Sequence, residues 1–210
     1  MKEIRIYFEG GKEDDEDIID EFQKGLIKFI KTGNKHRSKR KLKIEAIPCG
    51  PRSKAHMSFI NAIIDHPDSF NILLVDSERP VTKSSPWQHL REIPDRMETP
   101  QGATDKQCHL MVEAMEAWII TDVESLKLFY EQGFNEEEIP VTDNVINDVE
   151  KISKAKLLKS LEEATIKSKG KKYHKTRHAP KLLQIIDPLI VREKASYCER
   201  FFKTIEGLEV

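Results

Sequence analysis

A chain of 210 residues with 38% hydrophobic and 34% charged residues is long enough for one domain with a sizeable core, and too apolar for wholesale disorder. A formal net charge of -1 removes any indication of nucleic-acid binding from bulk charge, although acidic and basic residues fall in separate blocks. Three widely spaced cysteines (Cys49, Cys108, Cys198) exclude a disulfide framework or a CxxC metal site, which leaves free thiols as in a reducing compartment.

The first residues read as a strand and lack the basic start and apolar stretch of a signal peptide. No apolar run is long enough to span a bilayer, so a soluble cytoplasmic protein with no membrane association is expected.

Residues 4–8 (IRIYF) predict a strand that stops at Glu9-Gly10-Gly11, a turn signal. The acidic run at 13–17 leads into apolar residues at helical spacing, from Ile18 to Ile30, and suits the positive end of a helix dipole. Residues 42–47 predict a second strand, and Ser53 is a candidate cap for a helix that stops before Pro67. Residues 70–75 (FNILLV) read as a strand buried on both faces, ending at Asp76-Ser77-Glu78.

The stretch 79–105 holds four prolines and Trp87, and is too long for a simple connection; it is either functional or mobile. Residues 109–112 predict a short fourth strand and 113–122 a helix or strand-to-helix junction. Asp122 is placed to cap the next helix. Beyond it the spacing is mainly helical over 126–129, 155–164, 182–186 and 191–205, with a basic connector at 170–178.

Strands alternating with helices imply right-handed crossovers and a parallel sheet. The expected architecture is an α/β core over residues 1–122 with a helical extension over 123–210 packed on the same domain. Ligands of such sheets bind beyond the carboxyl ends of the strands, which directs attention to Glu9, Asp76 and Glu78. In extended backbone, carboxylates two residues apart point the same way. Three converging carboxylates repel one another unless a cation or a shared proton intervenes, and their oxygens suit Mg2+ or Mn2+. The alternative is three ordinary solvated carboxylates.

Glu113 and Glu116 sit three apart, neighbours on one helical face, and either extends the cluster. His109 reads as a satisfied buried histidine, and Trp118 to Ile120 as core. The basic stretch 169–178 offers phosphate-binding donors, Lys172, Lys175 and Arg177 among them, or a solvated loop. A second basic run, 36–43, reads as solvated surface. Walker, dinucleotide-binding and GxSxG motifs are absent from the sequence.

The order YFEGG (7–11), LLVDSE (73–78), QCHLMVEAMEAW (107–118) and YHKTRH (173–178) resembles the DUF4276 family over nearly the whole chain. That family is similar to Toprim-fold proteins, the catalytic domains of topoisomerases and primases and the nuclease domains of overcoming-lysogenization-defect proteins. The resemblance implies a Rossmann-like, Toprim-type parallel sheet flanked by helices, and a metal-dependent nuclease of bacterial anti-phage defence acting on DNA or RNA. Glu9 would be the first-strand glutamate, and Asp76 with Glu78 would stand for DxD, the glutamate being a departure that reaches one methylene further.

Glu116, before Ala117 and Trp118, resembles an acidic-aromatic motif of related defence proteins and would be a fourth metal ligand. Lys175 would stabilise the transition state, with Lys172 and Arg177 gripping phosphate. The resemblance also implies an ABC- or AAA-type ATPase partner, and with it a rival reading as a non-catalytic adaptor. A small-molecule phosphoryl-transfer enzyme is a further rival. Asp76→Asn is expected to abolish cleavage with thermal unfolding nearly unchanged.

Overall fold

The computed structural model describes residues 3–11, 15–34, 43–140 and 148–208. The basic run 36–43, except Lys43, and the acidic residues Glu13 and Asp14 lie outside the described residues. Strands β1 (Glu3–Phe8), β2 (Lys43–Pro48), β3 (Phe70–Asp76) and β4 (Cys108–Met111) form one all-parallel sheet in the order β2-β1-β3-β4. With helices on both faces, it is a Rossmann-like α/β arrangement followed by further helices.

The alternation of side chains along the central strands divides the core. Ile4, Ile6, Phe8, Ile72 and Leu74 face one side, whereas Tyr7, Leu73 and Val75 face the other. Helix α1 (Glu16–Gly33) packs on the first face through Phe22, Leu26, Phe29 and Ile30. Asp15 caps it, accepting from the Ile18 N–H at 3.2 Å. Helix α2 (Arg52–Asp65) packs on the second face through Ala55, Phe59 and Ala62.

Ser53 does not cap α2. The helix starts two residues earlier than such a cap would set it, after Pro51, whose carbonyl accepts the Lys54 and Ala55 N–H groups at 3.0 and 3.1 Å.

The proline-bearing stretch is anchored rather than loose. It carries α3 (Pro86–Glu92), capped by Ser85, and buries Trp87, Leu90, Ile93 and Met97 in the second core. The Trp87 indole donates to Thr104 O at 3.1 Å, and His89 Nε2 donates to Ser77 O at 2.9 Å, bracing the turn beyond β3.

Of the two readings of 113–122, helix or strand-to-helix junction, the structure has the junction, leading from β4 to a single turn, α4 (Glu116–Ile119). The preceding backbone is committed elsewhere: Glu113 O accepts the Glu78 N–H at 3.0 Å, and the Met115 N–H donates to Asp76 Oδ1 at 2.9 Å. Asp122 caps α5 (Val123–Tyr130), as the sequence indicates. Then come α6 (Lys154–Thr165), α7 (Lys175–Leu183), α8 (Pro188–Lys194) and α9 (Ser196–Gly207).

The basic connector is therefore only partly a connector, since its last residues open α7. The pattern over 191–205 is two helices, broken where Ala195 is extended, and Arg192 before the break pairs with Glu199 and Glu206 beyond it. His109 is wholly buried; Nε2 reaches Lys106 O at 3.1 Å, while Nδ1 has no hydrogen bond, so it is half satisfied.

Residues from α4 to α9 share one apolar cluster with α1 and the first sheet face. Helix α7 approaches α1 closely at Gly25, where an added Cβ would lie 2.5 Å from the Pro180 carbonyl oxygen. Gly25→Ala is therefore expected to destabilise the fold by about 1–3 kcal/mol, read as a lower urea midpoint. An unchanged midpoint would show that α7 yields easily. No helix among the described residues is long and apolar enough to cross a membrane.

Candidate functional site

Because α1 and α2 lie on opposite faces of the sheet, the strand order reverses between β1 and β3, and ligands of such sheets bind beyond the carboxyl ends at that point. Glu9 and Asp76 stand there. The Glu9 N–H donates to Leu74 O at 3.0 Å, prolonging the ladder, and its carboxylate accepts the Asp76 N–H at 3.1 Å. Asp76 is 1% exposed; Oδ1 takes the Met115 N–H, and Oδ2 takes the ammonium groups of Lys154 and Lys175 at 3.1 and 3.2 Å.

Glu78 reaches the cluster by a different route from the one its spacing implies. Its φ is +64°, so the backbone has left extended geometry, and its N–H is tied to Glu113 O. One carboxylate oxygen each from Glu9, Asp76 and Glu78 still lies within 4.8 Å of the others.

Glu116 stands apart from this trio but is joined to it through Lys175, whose Nζ lies 3.8 Å from Glu116 Oε2. Glu116 is fully buried. Its Oε1 accepts from the Tyr173 hydroxyl at 2.9 Å, while Oε2 is buried without a hydrogen bond. Burial raises its carboxyl above the ordinary range despite Lys175. Burial first, and repulsion from Asp76 next, push the Glu9 carboxyl up to about 7 against the pull of Lys154 and Lys175. Burial also opposes the charges of Lys154 and Lys175, but Asp76 and its neighbours outweigh it and hold both lysines above their usual value.

Two of the expected phosphate-binding residues are not brought here. Lys172 pairs with Glu162 of α6 at 2.6 Å, and Arg177 is exposed on α7. Residues two apart on a helix do not share a face, so the turn that aims Lys175 inward aims Arg177 away.

Lys154 and Arg52 escaped the sequence reading, and Tyr173 and Glu113, both named there, take other roles. Lys154 Nζ bridges Asp76 and Glu78, the latter at 2.6 Å. Arg52, almost wholly buried, lies 3.3 Å from Glu78 and also pairs with Asp95. Tyr173 holds Glu116. Glu113, rather than widening the cluster, accepts the Lys154 N–H at 2.8 Å and pins the start of α6.

One sequence signal could have found the cations. Arg52, Lys154 and Lys175 each open a helix with no acidic residue in its first turn, where the dipole disfavours a positive charge. Three positive helix ends thus converge on the carboxylates.

The donor set fits a hard divalent cation. Ligand oxygens around Mg2+ at about 2.1 Å lie up to about 4.2 Å apart, so the trio needs only a slight contraction. The buried Oε2 of Glu116, which has no hydrogen bond and faces Lys175 at 3.8 Å, is a further oxygen donor outside the trio. Against this stands the charge already supplied by the two ammonium groups.

No curated protein and no solved structure matches this chain. A family model described as "Domain of unknown function (DUF4276)" matches residues 16–206. That span covers the sheet from β2 onward, α1 and every later helix, so the chain belongs to the DUF4276 family.

Proposed function

We propose that the protein is a metal-dependent phosphodiesterase acting on nucleic acid, with Glu9, Asp76 and Glu78 as ligands of Mg2+ or Mn2+. The observation that carries this reading is the convergence of the three carboxylates at the reversal point of the sheet. When bound, the metal would polarise a phosphoryl oxygen and acidify a water. Lys175, paired with Asp76 yet partly exposed and fully charged, can neutralise a phosphate oxygen. Glu116 can hold a proton close to Lys175, and Tyr173 fixes its orientation. The polymer substrate, the ATPase partner and the defence role rest on the family resemblance rather than on this geometry.

The test titrates Mn2+ into the wild type and Glu78→Gln by calorimetry, then offers single- and double-stranded DNA and RNA with Mg2+, Mn2+ or a chelator. Saturable binding weakened in the variant, with cleavage lost on chelation, is expected. Equal heats from both proteins would take the metal away from these residues.

A second reading, a non-catalytic adaptor for an ATPase, is favoured by one observation: Lys154 and Lys175 already neutralise much of the cluster. Metal binding without cleavage of any substrate, alongside a stable ATPase complex, would select it.

A further inference from the structure

The two lysines on Asp76 are not equivalent. Both reach the same oxygen, Oδ2, at 3.1 and 3.2 Å. Lys154 spends its remaining contact on Glu78, at 2.6 Å, inside the trio that would hold a metal. Lys175 spends its own on Glu116, at 3.8 Å, outside that trio.

The attachments behind them differ as well. Lys154 is the first residue of α6, and its backbone N–H is fixed by Glu113 at 2.8 Å. Its backbone is therefore anchored, and only the rotatable four-carbon stem has to move for its ammonium to leave Asp76 and Glu78. Arg52, 3.3 Å from Glu78 on another side, is itself held by Asp95.

We propose that Lys154 is the resident counter-ion of the carboxylate trio and exchanges with the divalent cation, whereas Lys175 stays in place when the cation binds. The trio is unfavourable when left bare, because like charges at this spacing, one buried and two partly buried, repel. An ammonium between Asp76 and Glu78 answers that demand without a metal. An incoming dication must then evict it, so metal affinity is set by competition with a residue of the same chain. This inference rests on the metal reading and adds to it the residue that tunes occupancy.

The experiment is a calorimetric Mn2+ titration of the full chain at fixed pH and ionic strength. It compares wild type, Lys154→Met and Lys154→Arg, each checked for cooperative thermal unfolding. Lys154→Met is expected to bind Mn2+ about ten-fold more tightly, because the competing charge is gone while the stem is kept. Lys154→Arg, which restores a cation, should return to the wild-type value. Lys154→Gln serves in place of the methionine variant should that one lose cooperative unfolding.

Tight binding by Lys154→Met with none detectable in the wild type would also support the exchange. Equal or weaker binding by Lys154→Met, with the wild type saturable, would overturn the inference and leave the metal reading standing. No binding by any of the three would overturn both.

Discussion

Glu9→Gln is expected to abolish metal-dependent activity while leaving the fold as stable as the wild type or more so. The Glu9 carboxyl, pushed up to about 7 by burial and by Asp76, takes up a proton on folding between its ordinary value of 4.5 and 7. Its contribution favours the native state below pH 4.5 and is lost as pH rises through 7. Glutamine never charges and loses nothing across that window. Its side-chain oxygen can still accept the Asp76 N–H that Glu9 accepts at 3.1 Å.

The stability difference in favour of the variant should therefore grow from pH 4.5 to 7 and level off above, reaching about 1–3 kcal/mol. Mn2+ affinity should fall roughly 100-fold as one ligand is removed. Urea unfolding at several pH values and metal titration check the two halves separately. A variant that is less stable at pH 8 and binds metal normally would place Glu9 among structural ion pairs.

Asp76→Asn should lose both function and stability, which departs from the sequence-based expectation of near-neutral unfolding. Asp76 is acceptor to three donors: the Met115 N–H on one oxygen and two ammonium groups on the other. An amide has one acceptor and one donor end. If the oxygen stays with Met115, the NH2 faces Lys154 and Lys175; if it flips, the NH2 faces the Met115 N–H. Either way a buried donor meets a donor, and two lysines lose their shared anion.

The expected cost is about 3–5 kcal/mol, read as a lower urea midpoint, with Mn2+ binding lost. An unchanged midpoint would mean that the lysines re-pair with Glu78 and Glu116 at little cost. The contrast between the two variants separates a carboxylate that burdens the fold from one that organises it.

The strands and the carboxylate ends were legible because they are local. Six or seven residues of β-branched or apolar character followed by Glu-Gly-Gly or Asp-Ser-Glu define a strand and its exit without reference to the rest of the chain. The fate of the basic stretch was not legible, since composition does not say which face of a helix a residue takes. Lys175 turns in, Arg177 turns out, and Lys172 meets Glu162.

Lys154 was hidden for a different reason. Only its place at the start of its helix distinguishes it from Lys156 or Lys159, and its partners lie 78 and 76 residues earlier. The shortness of the one-turn helix at Glu116 was equally hidden, because the bonds that bend the backbone before it come from Asp76 and Glu78, on another strand and its exit.

That separation along the chain has a consequence for how the molecule comes together. All four acidic side chains of the site precede residue 117, while two of the three cations that balance them arrive only with α6 and α7. The closing contacts span 78 and 99 residues, distances at which loop closure is slow and comes late. A nascent chain that has formed its sheet carries a self-repelling acidic end until the late helices dock. Until then Arg52, at the start of α2, is the one of the three cations already on the chain.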